Sequence, residues 1–257
     1  MTVRRPAVAG LFYPGDPGTL RAAVAGFIQP GGPQGAAAII VPHAGYRYSG
    51  AIAGLAYTGV AARHVVLLGP CHRYGIRALA LPGADALATP LGEVAVWREG
   101  AERAAALPHV VTEAAAHREE HSLEVQLPFL QVVLPGVPVL PLAVGQVGPE
   151  AIADVLDGVW DEGTLVVVSS DLSHYHPYAE ANLRDAETIA QILALRYPLS
   201  YEQACGADPV SGLLAWAVRR RLRPQLLGAC NSGDTAGDHS RVVGYAAFRF
   251  EGDDHGL

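Results

Sequence analysis

The sequence predicts a three-layer α/β fold with a central, largely parallel mixed sheet, on three observations. Apolar runs of strand length alternate with segments of helical periodicity along nearly the whole chain. Two of those runs, AAAIIV before Pro42 and HVVLLG before Pro70, stop abruptly and are each followed by a histidine, His43 and His72. No stretch rich in Pro, Gly or Ser divides the 257 residues, and a hydrophobic fraction of 50% is ample for a packed core. Residues 1–250 therefore read as a single domain, with 251–257 as a frayed tail.

The first helix is expected from about Pro17 to Ile28, after the turn-rich AGLFYPGD, and PGGPQG marks the loop into the first long strand. Behind Ser49, which reads as a helix cap, the apolar residues Ile52, Leu55, Ala56 and Val60 keep helical spacing. The resulting strand–helix–strand unit brings His43 and His72 to the carboxyl ends of neighbouring strands, where open α/β sheets place their ligands. A weaker strand, Arg77 to Leu81, precedes PLGEVAV, a turn followed by a short strand. Helical patterns follow at Ala101 to Leu107 and at Glu119 to Leu134, where Pro128 marks a kink or the last turns. Strands at Val137 to Val144 and Thr164 to Ser170 flank a helix from about Glu150 to Trp160. Two helices come next, Tyr178 to Leu195 and Asp208 to Arg221, the second with Asp208 as cap and Pro209 in its first turn. Gln225 to Ala229 and Val242 to Phe250 close the chain as strands.

The formal net charge of -7, with no basic cluster beyond Arg219 to Arg223, argues against a nucleic-acid partner. That cluster sits where a helix ends, and positive charge there complements the helix dipole. Every basic residue other than histidine is arginine, so Schiff-base lysine chemistry is excluded. No apolar run reaches the roughly 18 residues of a membrane helix, and MTVRRPAVAGLFYPGD does not read as a signal peptide. No membrane association and a cytoplasmic location are the expectations. Cys71, Cys205 and Cys230 form no CxxC pair, so neither a disulfide framework nor a zinc knuckle is expected. Beside His72, Cys71 reads as a small buried residue at a strand end.

A third strand, TLVVVSS, runs into Asp171, Leu172, Ser173 and His174, so three strand ends each deliver a histidine and one adds a carboxylate. Neutral imidazoles converging with a carboxylate are the ligand set of a borderline divalent metal, Fe(II), Zn or Cu; Mg or Ca needs mostly oxygen donors. Two histidines and one carboxylate with open positions is the arrangement of non-haem Fe(II) oxygenases. Asp171, Asp234, His174 and Cys230 all qualify as the completing residue. In REEHSLEVQLPF, His121 stands beside Glu119, Glu120 and Glu124, either as a site element or as a surface histidine in an acidic first turn.

VPHAGYRYSG, LLGPCHRYG, EEHSLEVQLPFL, VVVSSDLSHY and the closing NSGDT…VVGYAA together resemble, in order and over nearly the whole chain, the Memo family. Its prokaryotic members are called AmmeMemoRadiSam system protein B. The resemblance implies a fold similar to the class III extradiol (LigB-type) dioxygenases. It also implies a metal pocket whose two histidine ligands match His43 and His72, with Asp171 and His174 beside it. The family's third ligand in animals, a cysteine just before the last strand, matches Thr235 here. Asp234 is taken as the substitute, with Cys230 in reserve. The prokaryotic name implies a radical-SAM protein and a further partner domain as associates.

Two readings follow. In the first, the chain is a metal-dependent, dioxygenase-like oxidoreductase: Fe(II) is held by His43, His72 and Asp234, and His174, oriented by Asp171 or His121, moves protons. Tyr46 or Tyr48 lines the substrate side. In the second, it is a non-catalytic protein-binding module that retains the pocket, a reading motivated by the altered third-ligand position.

Overall fold

The computed structural model describes residues 1–31 and 35–252. The chain opens with strand β1 (Val3–Arg4) and helix α1 (Pro17–Phe27), whose start is capped by Asp16 accepting from the Thr19 N–H at 2.8 Å. Next come β2 (Ala38–Val41), α2 (Tyr46–Tyr57), β3 (His64–Pro70), β4 (Leu79–Leu81) and a hairpin of β5 (Ala86–Thr89) and β6 (Gly92–Ala95). Helix α3 (Arg98–Ala105), β7 (Val110–Thr112) and α4 (Ala114–Arg118) follow, then a 3-10 turn (Glu124–Gln126) leading into α5 (Leu127–Val133). The second half runs β8 (Val139–Val144), α6 (Pro149–Val159), β9 (Thr164–Ser169), β10 (His174–His176), α7 (Tyr178–Leu193) and α8 (Ala207–Arg220). It closes with β11 (Arg223–Asn231), α9 (Ser232–Ala236) and β12 (Val242–Glu251). Part of the PGGPQG loop and most of the expected frayed tail lie outside the described residues; Glu251 still belongs to β12.

The main sheet has the order β10-β12-β2-β9-β3-β8-β4-β7, with β11 paired to β12, and β1, β5 and β6 form a small second sheet. Its centre, β2, β9, β3 and β8, is parallel; β12 runs against β2 and β4 against β8. The sheet is therefore mixed and parallel at its centre, as expected. The strands that carry His43 and His72 are not neighbours, however, because β9 lies between them. Every residue of β9 (TLVVVS) is buried, and such a strand needs a partner on each edge and cover on both faces.

Alternate strand residues face opposite layers. Ile40, Leu68 and Val168 pack with Leu156 of α6 and Leu213 and Trp216 of α8, while Ile39, Leu67 and Val167 pack with Leu20 of α1, Ala53 of α2 and Phe129 of α5. The two cores make the three layers. No helix among the described residues is long and apolar enough to cross a membrane. The arginines that end α8 turn back on α6: Arg219 reaches Asp154 at 2.7 Å and Arg220 reaches Asp157 at 2.9 Å.

Several local expectations are corrected. Helix α2 begins at Tyr46 with Gly45 as its cap; Ser49 is buried one turn in, its N–H bonded to the Gly45 carbonyl and its hydroxyl to Ala44 at 3.0 Å. Gly206 precedes α8, so Asp208 is a first-turn residue, and its carboxylate accepts from the Tyr201 hydroxyl. The stretch 119–134 is not one helix, because Pro128 opens α5 rather than ending it: a proline has no N–H to bond to the preceding turn and is suited to a first turn.

Helix α4 is tied to the sheet by His117, whose Nε2 meets the Ala80 carbonyl at 2.7 Å. Burial lowers its pKa from 6.5 to about 4. Between those values the unfolded chain takes up a proton that the folded chain refuses, so this contribution to stability is complete above pH 6.5 and is lost as the pH falls toward 4. Denaturant titrations at pH 7, 6 and 5 are expected to show His117→Gln losing less stability than the parent chain across that window, by up to roughly 2 kcal/mol.

Candidate metal centre

Strands β2 and β9 end level with one another, Val41 paired with Ser169, and β3, with Leu68 paired to Val168, runs one residue further, to Pro70. His43, Asp171 and His72 each follow two residues beyond a strand end, so all three leave the sheet at one rim. They border a groove of about 1680 Å³ that His121, His174 and Cys205 also line. One ligand atom each from His43, His72 and Cys205 lie within 4.8 Å of one another.

His43 is 2% exposed and held on every side. Its backbone N–H donates to Asp171 Oδ1 at 2.7 Å, its Nδ1 lies 3.0 Å from Ser169 Oγ, and its Nε2 lies 3.2 Å from Cys205 Sγ. Burial, reinforced by the neighbouring His72 and His121, depresses its pKa, which keeps the imidazole neutral as a ligand must be. His72 is held by Glu120, which accepts from its backbone N–H at 2.6 Å and pairs with Nδ1 at 2.9 Å. A carboxylate can only accept, so Nδ1 carries a proton, and in the neutral ring a metal requires, Nε2 is the nitrogen with the lone pair. Burial pushes the Glu120 carboxyl up, but the bond and charge of His72 and the Ser122 N–H outweigh it and hold the pKa at about 2.

His72, Glu120 and His121 also present ligand atoms to one another within 4.8 Å. Both Glu120 oxygens are already engaged, Oε1 by His72 Nδ1 and by the Ser122 N–H at 2.9 Å, Oε2 by the His72 N–H. This trio therefore positions His72 better than it would bind a second ion. His121 is not a surface residue in an acidic helix start. It stacks on His72 with ring centroids 4.8 Å apart, and burial lowers its pKa to about 4. Glu124 is buried too, binding Arg4, the Ala7 and Val8 N–H groups at 2.7 and 3.0 Å, and the Tyr13 hydroxyl at 2.6 Å. Glu120 and Glu124 are thus turned inward, while Glu119 stays exposed.

The expected third ligand is not brought to the histidine pair. Asp234 sits in α9, where Oδ2 accepts from the Asn231 N–H at 2.9 Å and Oδ1 from the Tyr178 hydroxyl at 2.7 Å. The capping box and the Tyr178 hydroxyl together occupy both oxygens. Thr235 is exposed, and Cys230 lies in β11 opposite Tyr245. The thiol that stands beside the pair is Cys205, from the irregular connection between α7 and α8. Its neighbour Gly206 permits the approach: a Cβ there would lie 2.6 Å from Ser170 Cβ. Burial raises the Cys205 thiol pKa, with nearby Asp171 adding to the shift, so a metal would have to displace its proton.

Asp171 lines the groove, and burial raises its pKa to about 7 against two backbone N–H bonds, from His43 and Ala44. His174 is oriented by neither Asp171 nor His121: its Nδ1 lies 2.8 Å from the Leu172 carbonyl. Tyr48 lines the groove, whereas Tyr46 is buried with its hydroxyl on the Val125 carbonyl at 2.7 Å. The rim carries Arg73, Arg77, Arg184 and Arg241, interspersed with Glu202 and Asp208.

The model of the Memo-like protein family matches residues 4–249. The chain belongs to the Memo family. Among its relatives, the MEMO1 family protein of Metallosphaera sedula is 37% identical over 96% of this chain and 99% of its own length. The one from Aquifex aeolicus is 38% identical over 97% and 100%, and that of Archaeoglobus fulgidus 36% identical over 96% and 99%. The crystal structure of an uncharacterised protein from Escherichia coli K12 superposes with a TM-score of 0.52 at 13% identity, covering 82% of this chain and 98% of that one. That likeness is one of fold. In this Memo chain, all five quoted motifs supply groove residues or their supports: His43, His72, Glu120 with His121, Asp171 with His174, and Ser232 with Tyr245.

Replacing Glu120 by Gln puts an NH₂ group where one of the two His72 N–H groups needs an acceptor. Zn(II) affinity, measured by competition with a chromophoric chelator, is expected to fall about 10- to 100-fold in Glu120→Gln.

Proposed function

We propose that this Memo protein is a metal-dependent oxidoreductase whose divalent metal is held by His43, His72 and Cys205. The observation that carries the reading is the meeting of two imidazoles and a thiol, from three separate parts of the chain, beside one large groove. The donor chemistry fits: imidazole and thiolate suit Fe(II), Zn and copper and do not suit Mg or Ca. Iron is the preferred choice by the dioxygenase-like resemblance, and a redox metal supplies one-electron exchange together with open positions for a substrate.

The chain's own groups complete the chemistry. The Leu172 carbonyl can only accept, so His174 Nδ1 carries a proton and Nε2 is left as a base on a ring lining the groove. Asp171 holds the His43 backbone through its N–H. Tyr48, 37% exposed, offers an aromatic face to a bound substrate. The alternative of a non-catalytic binding module drew on a missing third donor, and Cys205 supplies one. A radical-SAM protein with its associated domain is the partner the family name points to, and copurification from a co-expressing host tests it.

Elemental analysis of protein purified without added metal, and again after anaerobic Fe(II) loading, is expected to find stoichiometric metal. Binding should be lost in His43→Ala, His72→Ala and Cys205→Ala and kept in Asp234→Asn. Oxygen uptake with catechols then tests the reaction. No metal in either preparation of the parent chain defeats the reading.

A further inference from the structure

We infer that Ser169 is a positioning residue that fixes which nitrogen of His43 carries the proton, with Gln126 holding the Ser169 hydroxyl in place for that task. Three groups meet behind the histidine in a fully buried layer: Ser169, Ser122 and Gln126, like His43 itself, are each no more than 2% exposed. Two carbonyls in this layer fix the direction of every bond, because a carbonyl oxygen only accepts.

The Pro42 carbonyl lies 3.0 Å from Gln126 Nε2, so the amide nitrogen, not the oxygen, must face it. The second hydrogen of that amide then meets Ser169 Oγ at 2.8 Å. On the other side of the amide, the Gln126 oxygen accepts from the Tyr57 hydroxyl at 3.0 Å, which agrees with this orientation. The Ser122 carbonyl lies 2.6 Å from Ser169 Oγ and takes the one proton that the hydroxyl has to give. Ser169 has now donated once and accepted once, and what remains is a lone pair.

His43 Nδ1 lies 3.0 Å from that oxygen, and only an N–H fits there. In the neutral ring Nδ1 is therefore the protonated nitrogen, and Nε2 presents its lone pair toward Cys205 Sγ, 3.2 Å away. The opposite tautomer requires Ser169 to donate to Nδ1, which takes this donor from the buried Ser122 carbonyl. Glu120 imposes the same tautomer on His72 by a different route, so both rings are pre-set before any ion arrives.

The tautomer is a property of the metal-free chain; only the affinity readout rests on the metal reading above. Full-length protein labelled with ¹⁵N-histidine and treated with chelator is examined at pH 8 by long-range ¹H–¹⁵N correlation, the His43 signals being assigned by their absence in His43→Gln. The expected spectrum has Nδ1 protonated and Nε2 not. In Ser169→Ala the proton is expected to distribute between the two nitrogens, and Zn(II) affinity to drop about 10- to 100-fold. A parent chain with Nε2 protonated overturns the inference without need of any variant, as does a Ser169→Ala chain that keeps the parent spectrum. Failure of every form to bind Zn(II) would defeat the metal reading and leave the spectra to decide the tautomer.

Discussion

The position of β9 between β2 and β3 sets the dimensions of the groove floor. Because Val41 is level with Ser169 and Leu68 with Val168, the residues just past each strand end emerge side by side. Asp171 then closes the gap between β9 and β2 by accepting the backbone N–H groups of His43 and Ala44 at 2.7 and 3.3 Å. A shift of one residue in the register of β9 would turn its side chains to the opposite face and take Ser169 from behind His43. The same buried apolar run, Leu165 to Val168, that makes β9 a central strand therefore also fixes where the polar residues at its end are delivered.

The second support is the segment Glu120 to Gln126, which lies across the end of β3. It approaches closely because Gly69 has no side chain: a Cβ there would stand 2.7 Å from Ser122 Oγ. The segment buries two carboxylates, a hydroxyl and an amide, which carries a heavy desolvation cost unless each is bonded. Each is: Glu120 holds His72, Ser122 bonds the Pro70 carbonyl at 2.8 Å, Glu124 gathers the N-terminal segment, and Gln126 joins Pro42 to Ser169. A network of this kind has few alternative arrangements, so the histidines it supports are held rigidly.

Against those rigid supports, the thiol beside the histidine pair comes from irregular chain. Cys205 stands just before α8, anchored where the Gly206 N–H donates to Ser170 Oγ at 3.0 Å. The groove opens beyond it toward a rim of arginines and carboxylates. As a donor, a thiol in place of a carboxylate would favour softer metals, a chemical difference that rests on one residue in a connection.

Much of this was legible in the sequence, and for a definite reason. Strand ends are local events: an apolar run that stops at Pro42 or Pro70 announces where the chain leaves the sheet, so His43, His72, Asp171 and His174 were readable as groove residues. Strand and helix identities follow from short periodicities in the same way. What only the tertiary structure decided depends on contacts between residues far apart in the chain. Sheet order, which put β9 between β2 and β3, is a choice among packings that no local pattern distinguishes. The exchange of Asp234 for Cys205 is of the same kind: Asp234 bonds within its own helix start and to Tyr178, while Cys205 reaches a histidine 162 residues away.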